Sequence, residues 1–146
     1  MAPVRVPLRT RDAYKVWRTL ETRWADNDAY GHVNNIVYYG WFDTAVNAWL
    51  IEAGLLDPGK SDPIGLVVET GCRYARPLAF PQSVDVGLAI EQIGKSSVRY
   101  RLGVFAADKN EAAAEGFFVH VYVGETTRRA IELPEAWRAA LSGIII

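Results

Sequence analysis

Between Arg23 and Ala53 the sequence reads R-W-A-D-N-D-A-Y-G-H-V-N-N-I-V-Y-Y-G-W-F-D-T-A-V-N-A-W-L-I-E-A, a polar, turn-rich loop that runs straight into a long apolar segment. No other stretch constrains the fold as tightly. Asn34 can cap a helix, because its side-chain oxygen can accept one of the orphan backbone N–H groups at a helix start. The helix is expected to begin near Asn35 and to run to about Ala53, where Gly54 supplies a left-handed stop. At 3.6 residues per turn, Tyr38, Tyr39, Phe42, Ala45, Val46, Trp49, Leu50 and Ala53 share one wide apolar face. Gly40, Asp43, Thr44 and Asn47 form a narrower, mostly uncharged opposite face. A surface helix would be studded with Lys and Glu there. This one is therefore expected to be covered on most sides, by a sheet on one and by something else on the other.

The remaining segments supply that sheet. Residues 13–24 alternate, with Tyr14, Val16, Arg18, Leu20, Thr22 and Trp24 on one side, and read as a strand. Ile64 to Ala75 is a second strand, and Val84 to Glu91 a third. Val98 to Val104 and Phe117 to Val123 complete the set. The linkers I-G-K-S and A-D-K-N-E suit hairpins, whereas R-P-L-A-F-P-Q-S is a longer crossing. Pro134 to Ser142 reads as a short helix with Pro134 in its first turn. The order strand, helix, four strands, helix gives an α+β domain with one antiparallel sheet on one long helix. A single domain spanning residues 1–146 is expected, with residues 1–12 as an extended tail. Trp17, Trp24, Trp41, Trp49 and Trp137 are read as core or interface aromatics, His120 as structural, and Cys72 as core packing.

Charge excludes several partners. Sixteen basic and 17 acidic side chains are mixed along the chain, which leaves no footprint for nucleic acid or for an anionic membrane surface. A single cysteine rules out an intramolecular disulfide. The N-terminal residues lack the apolar core of a signal peptide, so a cytoplasmic location is expected.

The chemistry is expected in the loop. D-N-D-A-Y-G places Asp26, Asp28 and Gly31 as a calcium loop would. That motif also needs an oxygen ligand at Tyr30 and a carboxylate at Val37, and neither is present. No metal or cofactor is expected. The loop does bring a carboxylate, Asp28, and an imidazole, His32, to a helix N-terminus, whose free N–H groups can stabilise negative charge on a carbonyl oxygen. A carboxylate beside oxyanion donors is a minimal acyl-transfer site. No G-x-S-x-G elbow is present for a serine nucleophile. A lone carboxylate suffices most readily against a thioester, because a thiolate (thiol pKa about 8.5) leaves with little acid assistance.

The run W-A-D-N-D-A-Y-G-H-V-N-N-I-V-Y-Y-G-W-F-D-T-A resembles the signature of hot-dog-fold acyl-CoA thioesterases of the 4-hydroxybenzoyl-CoA thioesterase-like family. The similarity continues through Y-A-R-P-L at Tyr74, I-G-K-S-S-V at Ile93 and R-R-A-I-E-L-P-E near the end, covering roughly Arg18 to Leu141. The resemblance implies a hot-dog fold, a long antiparallel sheet wrapped around a central helix. It implies an acyl-CoA substrate and a homodimer or homotetramer with sites at the subunit interface. The family's catalytic aspartate falls on Asp28, as nucleophile or general base. The N–H that polarises the thioester carbonyl falls at about Asn35, with Gly31 keeping the approach open. His32 matches a position common in the aliphatic acyl-CoA branch, whereas the 4-hydroxybenzoyl-CoA branch carries apolar residues in place of His32 and Asn34. Tyr30, Asn34, Glu69 and Arg76 are further substrate-binding candidates. Arg73, Arg76, Lys95, Arg99, Arg101, Arg128 and Arg129 could each meet the CoA phosphates. A non-catalytic module that binds acyl-CoA is the alternative reading, and a dehydratase of the same fold a more distant one.

Overall fold

The computed structural model describes residues 7–60 and 62–146. Its elements are β1 (Val16–Glu21), α1 (Asn35–Glu52), β2 (Ile64–Tyr74), β3 (Ser83–Ile93), β4 (Ser97–Ala106), β5 (Ala114–Val123) and α2 (Glu135–Ser142), with 3-10 turns at Arg11–Ala13 and Trp24–Asp26. The five strands form one sheet in the order β1-β3-β4-β5-β2, and every pairing is antiparallel. This is the α+β hot-dog architecture, with α1 packed along one face of the sheet.

The helix begins at its cap. The Asn34 side chain accepts the Ile36 N–H at 3.1 Å, and Gly54 ends the helix with φ +76°. Tyr38, Trp41, Phe42, Ala45, Val46 and Leu50 are buried against the sheet. Trp41 thus belongs to the core face, while Ala53 is exposed. The opposite side, with Ile36, Gly40, Asp43 and Thr44, is exposed, so this chain covers only one side of the helix.

The strands meet the helix through alternate residues. Val84, Val86, Leu88 and Ile90 of β3 and Val98, Tyr100, Leu102 and Val104 of β4 are all in the core, on the faces that the sequence alternation predicts. In β5 the inward face is Phe118, His120 and Tyr122 rather than the valine face. The reason is local. His120 is flanked by the Phe118, Tyr100 and Tyr122 rings; Tyr100 and Tyr122 share a 2.6 Å hydroxyl hydrogen bond and His120 Nδ1 lies 3.4 Å from the Tyr122 hydroxyl, so of these polar atoms His120 Nε2 alone enters the core without a partner among the described residues. Gly116 lets Phe42 of α1 approach the sheet: a Cβ there would lie 2.5 Å from Phe42 Cε2 and closer still to the Gly71 carbonyl oxygen.

Two expectations are corrected. Residues 7–12 are not a loose tail. Leu8 and Tyr14 pack with Phe105 and Ala112 on the outer face of the sheet, and Thr10 bridges to Glu111. Residues 1–6 lie outside the described residues. The first strand is shorter than expected and Trp24 lies outside it: it heads a 3-10 turn, is 76% exposed in this chain and meets Phe80 edge to face, so of the core and interface readings this chain leaves the interface one. β2 occupies a sheet edge and is exposed along most of its length, including Leu66, Val67 and Val68, with a bulge between Val67 and Glu69.

Candidate active site

The loop between β1 and α1 is held by its two aspartates in different ways. Asp26 is 1% exposed, and its carboxylate accepts the Arg23 backbone N–H at 2.8 Å and the Arg23 guanidinium at 2.7 and 3.0 Å. The Asp26 carbonyl accepts the Asn34 N–H at 2.8 Å. Asp26 is thus a structural clamp that ties the loop's entry to the residue capping α1.

Asp28 organises the loop's tip. Its Oδ1 accepts the backbone N–H groups of Tyr30 at 2.8 Å and His32 at 3.2 Å, and its own N–H donates to the His32 carbonyl at 2.7 Å. The turn requires a left-handed residue, and Gly31 provides it at φ +77°. Oδ1 therefore fixes the side chain, while Oδ2 has no hydrogen-bond partner among the described residues. A carboxylate held by one oxygen with the other free is pre-positioned for proton abstraction or nucleophilic attack.

Asp28, His32, Asn35, Tyr38, Tyr74 and Arg76 line one open cleft of about 310 Å³. At its side, the first backbone amides of α1 differ in what they have left to give. The Ile36 N–H is taken by the Asn34 side chain and the Val37 N–H by the Asn34 carbonyl at 3.0 Å. The Asn35 N–H has no partner among the described residues. The cleft thus combines a free carboxylate oxygen with a free amide at the positive end of an 18-residue helix.

Of the residues expected from the sequence, the structure brings Asp28, His32, Asn35 and Arg76 together in this cleft. Gly31 and Asn34 shape it from behind, through the turn and the cap. Tyr30 is 83% exposed and does not line the cleft. Glu69 also lies elsewhere. It pairs with Val119 on the exposed part of β2, on the strand face that carries Gly71 and Arg73, away from α1. Arg76 is paired with Glu111 at 2.9 Å, both about half exposed.

Two cleft residues escaped the sequence reading. The Tyr74 hydroxyl donates to the Asn35 carbonyl at 3.0 Å, which ties the end of β2 to the first turn of α1. Its ring stands edge-on to Tyr38 at 5.0 Å. Burial, with a smaller contribution from Cys72, pushes the Tyr38 phenol up to about 12, and burial also raises Tyr74. Both stay protonated at neutral pH and can serve as hydrogen-bond donors, not bases. The usable signal was the period-2 alternation of β2, which places Tyr74 on the face opposite Arg73.

The comparisons with known proteins agree with this architecture. The Thioesterase-like superfamily model matches residues 22–141. The PA5185 protein of Pseudomonas aeruginosa strain PAO1 is 46% identical, with a TM-score of 0.91 over 95% of this chain and 97% of that one. The P. aeruginosa PA2801 protein, a candidate thioesterase, is 28% identical with a TM-score of 0.79 over 86% and 96% of the two chains. Slr0204 of Synechocystis, a 1,4-dihydroxy-2-naphthoyl-CoA thioesterase, shares the fold at 19% identity, with a TM-score of 0.78 over 86% and 94%. No curated protein matches the sequence significantly. With the family model spanning the loop, the central helix and the whole of β2 to β5, the chain belongs to the thioesterase-like superfamily.

Proposed function

We propose that the protein hydrolyses acyl-CoA thioesters to free acid and CoA, with Asp28 as general base or nucleophile. The observation that carries this reading is the pairing, in one cleft, of the free Asp28 Oδ2 with the free Asn35 N–H. The amide accepts the growing negative charge on the thioester oxygen. The carboxylate either takes a proton from a water that attacks the carbonyl carbon, or attacks that carbon itself to give an anhydride that water then opens. In both routes the C–S bond breaks and the CoA thiolate leaves. His32, at the rim, is suited to orienting the water or the carboxylate, and Arg76 to meeting a negatively charged part of the substrate. The chemistry needs no metal or prosthetic group.

The working form in this reading is a homodimer or a higher homo-oligomer. An edge strand with exposed Leu66, Val67 and Val68, and a helix whose Ile36 and Ile51 side is uncovered, are apolar surfaces that a second copy would bury. No helix among the described residues is long and apolar enough to cross a membrane, and the cytoplasm is the proposed location.

The test is thiol release from a panel of aliphatic and aromatic acyl-CoAs. Turnover of at least one ester supports the reading, and the preferred ester names the acyl class. Tight binding of the same esters by calorimetry, with no thiol release from any, would replace it with the non-catalytic module. Light scattering that finds a folded, fully active monomer would contradict the oligomer.

A further inference from the structure

A second cleft, on the face of the sheet opposite α1, shares no lining residue with the Asp28 cleft. It has a volume of about 230 Å³ and is lined by Arg9, Arg73, Arg99, Glu91, Glu115 and Phe117, among others. Its charges are unbalanced. Glu115, only 3% exposed, is bound by Arg73, by the Arg9 guanidinium at 3.4 Å and by the Arg9 backbone N–H at 2.9 Å. Glu91 accepts from Arg99 Nε and Arg101 Nε, each at 2.9 Å, with Arg9 at 3.9 Å. Four guanidinium groups thus surround two carboxylates, an excess of two positive charges on one small area of sheet.

The arrangement is only partly satisfied. The Arg99 guanidinium lies 4.0 Å from the centroid of the Phe117 ring, and Gly71, where a Cβ would strike that ring at 2.8 Å, lets the phenyl lie over β2. Arg99 donates through Nε alone, so neither of its Nη groups has a partner among the described residues. The carboxylates hold the arginine heads in place, and fork-shaped donors remain open to the cleft. Balancing the two carboxylates takes two arginines; three of the four line the cleft itself, and the positive charge left over, with the free Arg99 donors, suits an oxyanion.

We propose that this cleft binds a phosphate-class anion, through Arg9, Arg73 and Arg99. Two sources share that chemistry. One is a free phosphate or diphosphate. The other is the phosphate portion of the enzyme's own substrate, since Arg73 and Tyr74 are consecutive residues on opposite faces of β2, one at each cleft.

The experiment is calorimetric titration of the full-length protein with inorganic pyrophosphate at low salt, which requires no turnover and so stands or falls apart from the proposed hydrolysis. Saturable binding at about 1 mM or tighter is expected, weakening steeply as the ionic strength is raised from about 0.02 to about 0.5 M. Arg99→Gln and Arg73→Gln should each weaken it at least about tenfold, the loss of one charge-assisted contact, while Lys15→Ala, at an exposed site that does not line the cleft, should leave it unchanged. If either glutamine variant fails to fold because a carboxylate loses its partner, Arg99→Lys keeps the charge, removes the fork and should still weaken binding. Two results overturn the proposal: no binding by the wild type, or equal binding by wild type and by every arginine variant that folds. Kinetics then separate the sources. Pyrophosphate that competes with a CoA thioester but not with the matching N-acetylcysteamine thioester assigns the cleft to the substrate's phosphates. Binding without competition assigns it to a free anion.

Discussion

Replacing Gly116 by alanine isolates how closely the sheet approaches the central helix. Gly116 sits in β5 opposite Cys72 of β2, beneath the Phe42 ring. An added methyl would lie 2.5 Å from Phe42 Cε2, 3.0 Å from Cζ, and against the Gly71 carbonyl oxygen. Ordinary carbon contacts are about 3.5–4.0 Å. Phe42 is fully buried and cannot swing away, and the Gly71 oxygen is backbone, so relief means moving β2 or α1 by about 1 Å. Overpacking of this kind costs about 1–3 kcal/mol, and with obstacles of both kinds on one side the upper end, about 3 kcal/mol, is expected. For a chain of this size that is a fall in Tm of about 6–12 °C. Urea unfolding followed by circular dichroism measures the loss directly, and the Cm should fall with an unchanged slope. Because β2 carries Tyr74 to the Asn35 carbonyl, thioester turnover should fall in the variant as well. A change below about 0.5 kcal/mol, within the range of ordinary surface substitutions, would refute the packing argument.

Other expectations follow from the same contacts. Asn34→Ala removes the helix cap and should cost about 1 kcal/mol in thermal or urea unfolding. Tyr74→Phe removes one hydrogen bond to the first turn of α1; if that bond aims the Asn35 N–H, kcat should fall about fivefold, the equivalent of about 1 kcal/mol, with KM nearly unchanged. Stability should depend on His120. Burial lowers its pKa below the ordinary value of about 6.5, against a smaller upward pull from Asp43, so the folded protein keeps it neutral where the unfolded chain is protonated. Stability is then full above about pH 6.5 and declines as the pH falls below it, and urea titrations at several pH values should show a shallower decline in His120→Phe.

Much of the fold was legible because its periodicities are strong. The alternation in β3 and β4 predicted every inward residue from Val84 to Ile90 and from Val98 to Val104. Asn34 and Gly54 marked the ends of the central helix by the chemistry of caps. In β5 both faces are apolar, so alternation alone does not say which one enters the core; in the fold it is the face of Phe118, His120 and Tyr122, with Tyr122 bonded to Tyr100. Leu8 looked like part of a tail because its partners Phe105 and Ala112 lie about 90 or more residues away, beyond the reach of any local pattern. The same holds at the site. Asp28, His32 and Asn35 are neighbours in sequence and could be read together, whereas Tyr74 reaches them only through the fold. Glu69 shows the converse limit: residue type nominated it, and the alternation of an edge strand turned it to the other face.

The central claim is that a carboxylate oxygen of Asp28, held beside a free helix amide, does the chemistry. Its most direct test is thiol release by wild type and Asp28→Asn, side by side, on the best ester of the panel. The asparagine keeps an oxygen to accept the Tyr30 and His32 amides, so the loop should stay folded. Turnover should fall by about 100-fold or more, with an unchanged melting curve. An Asp28→Asn protein that hydrolyses the ester at the wild-type rate would contradict the account.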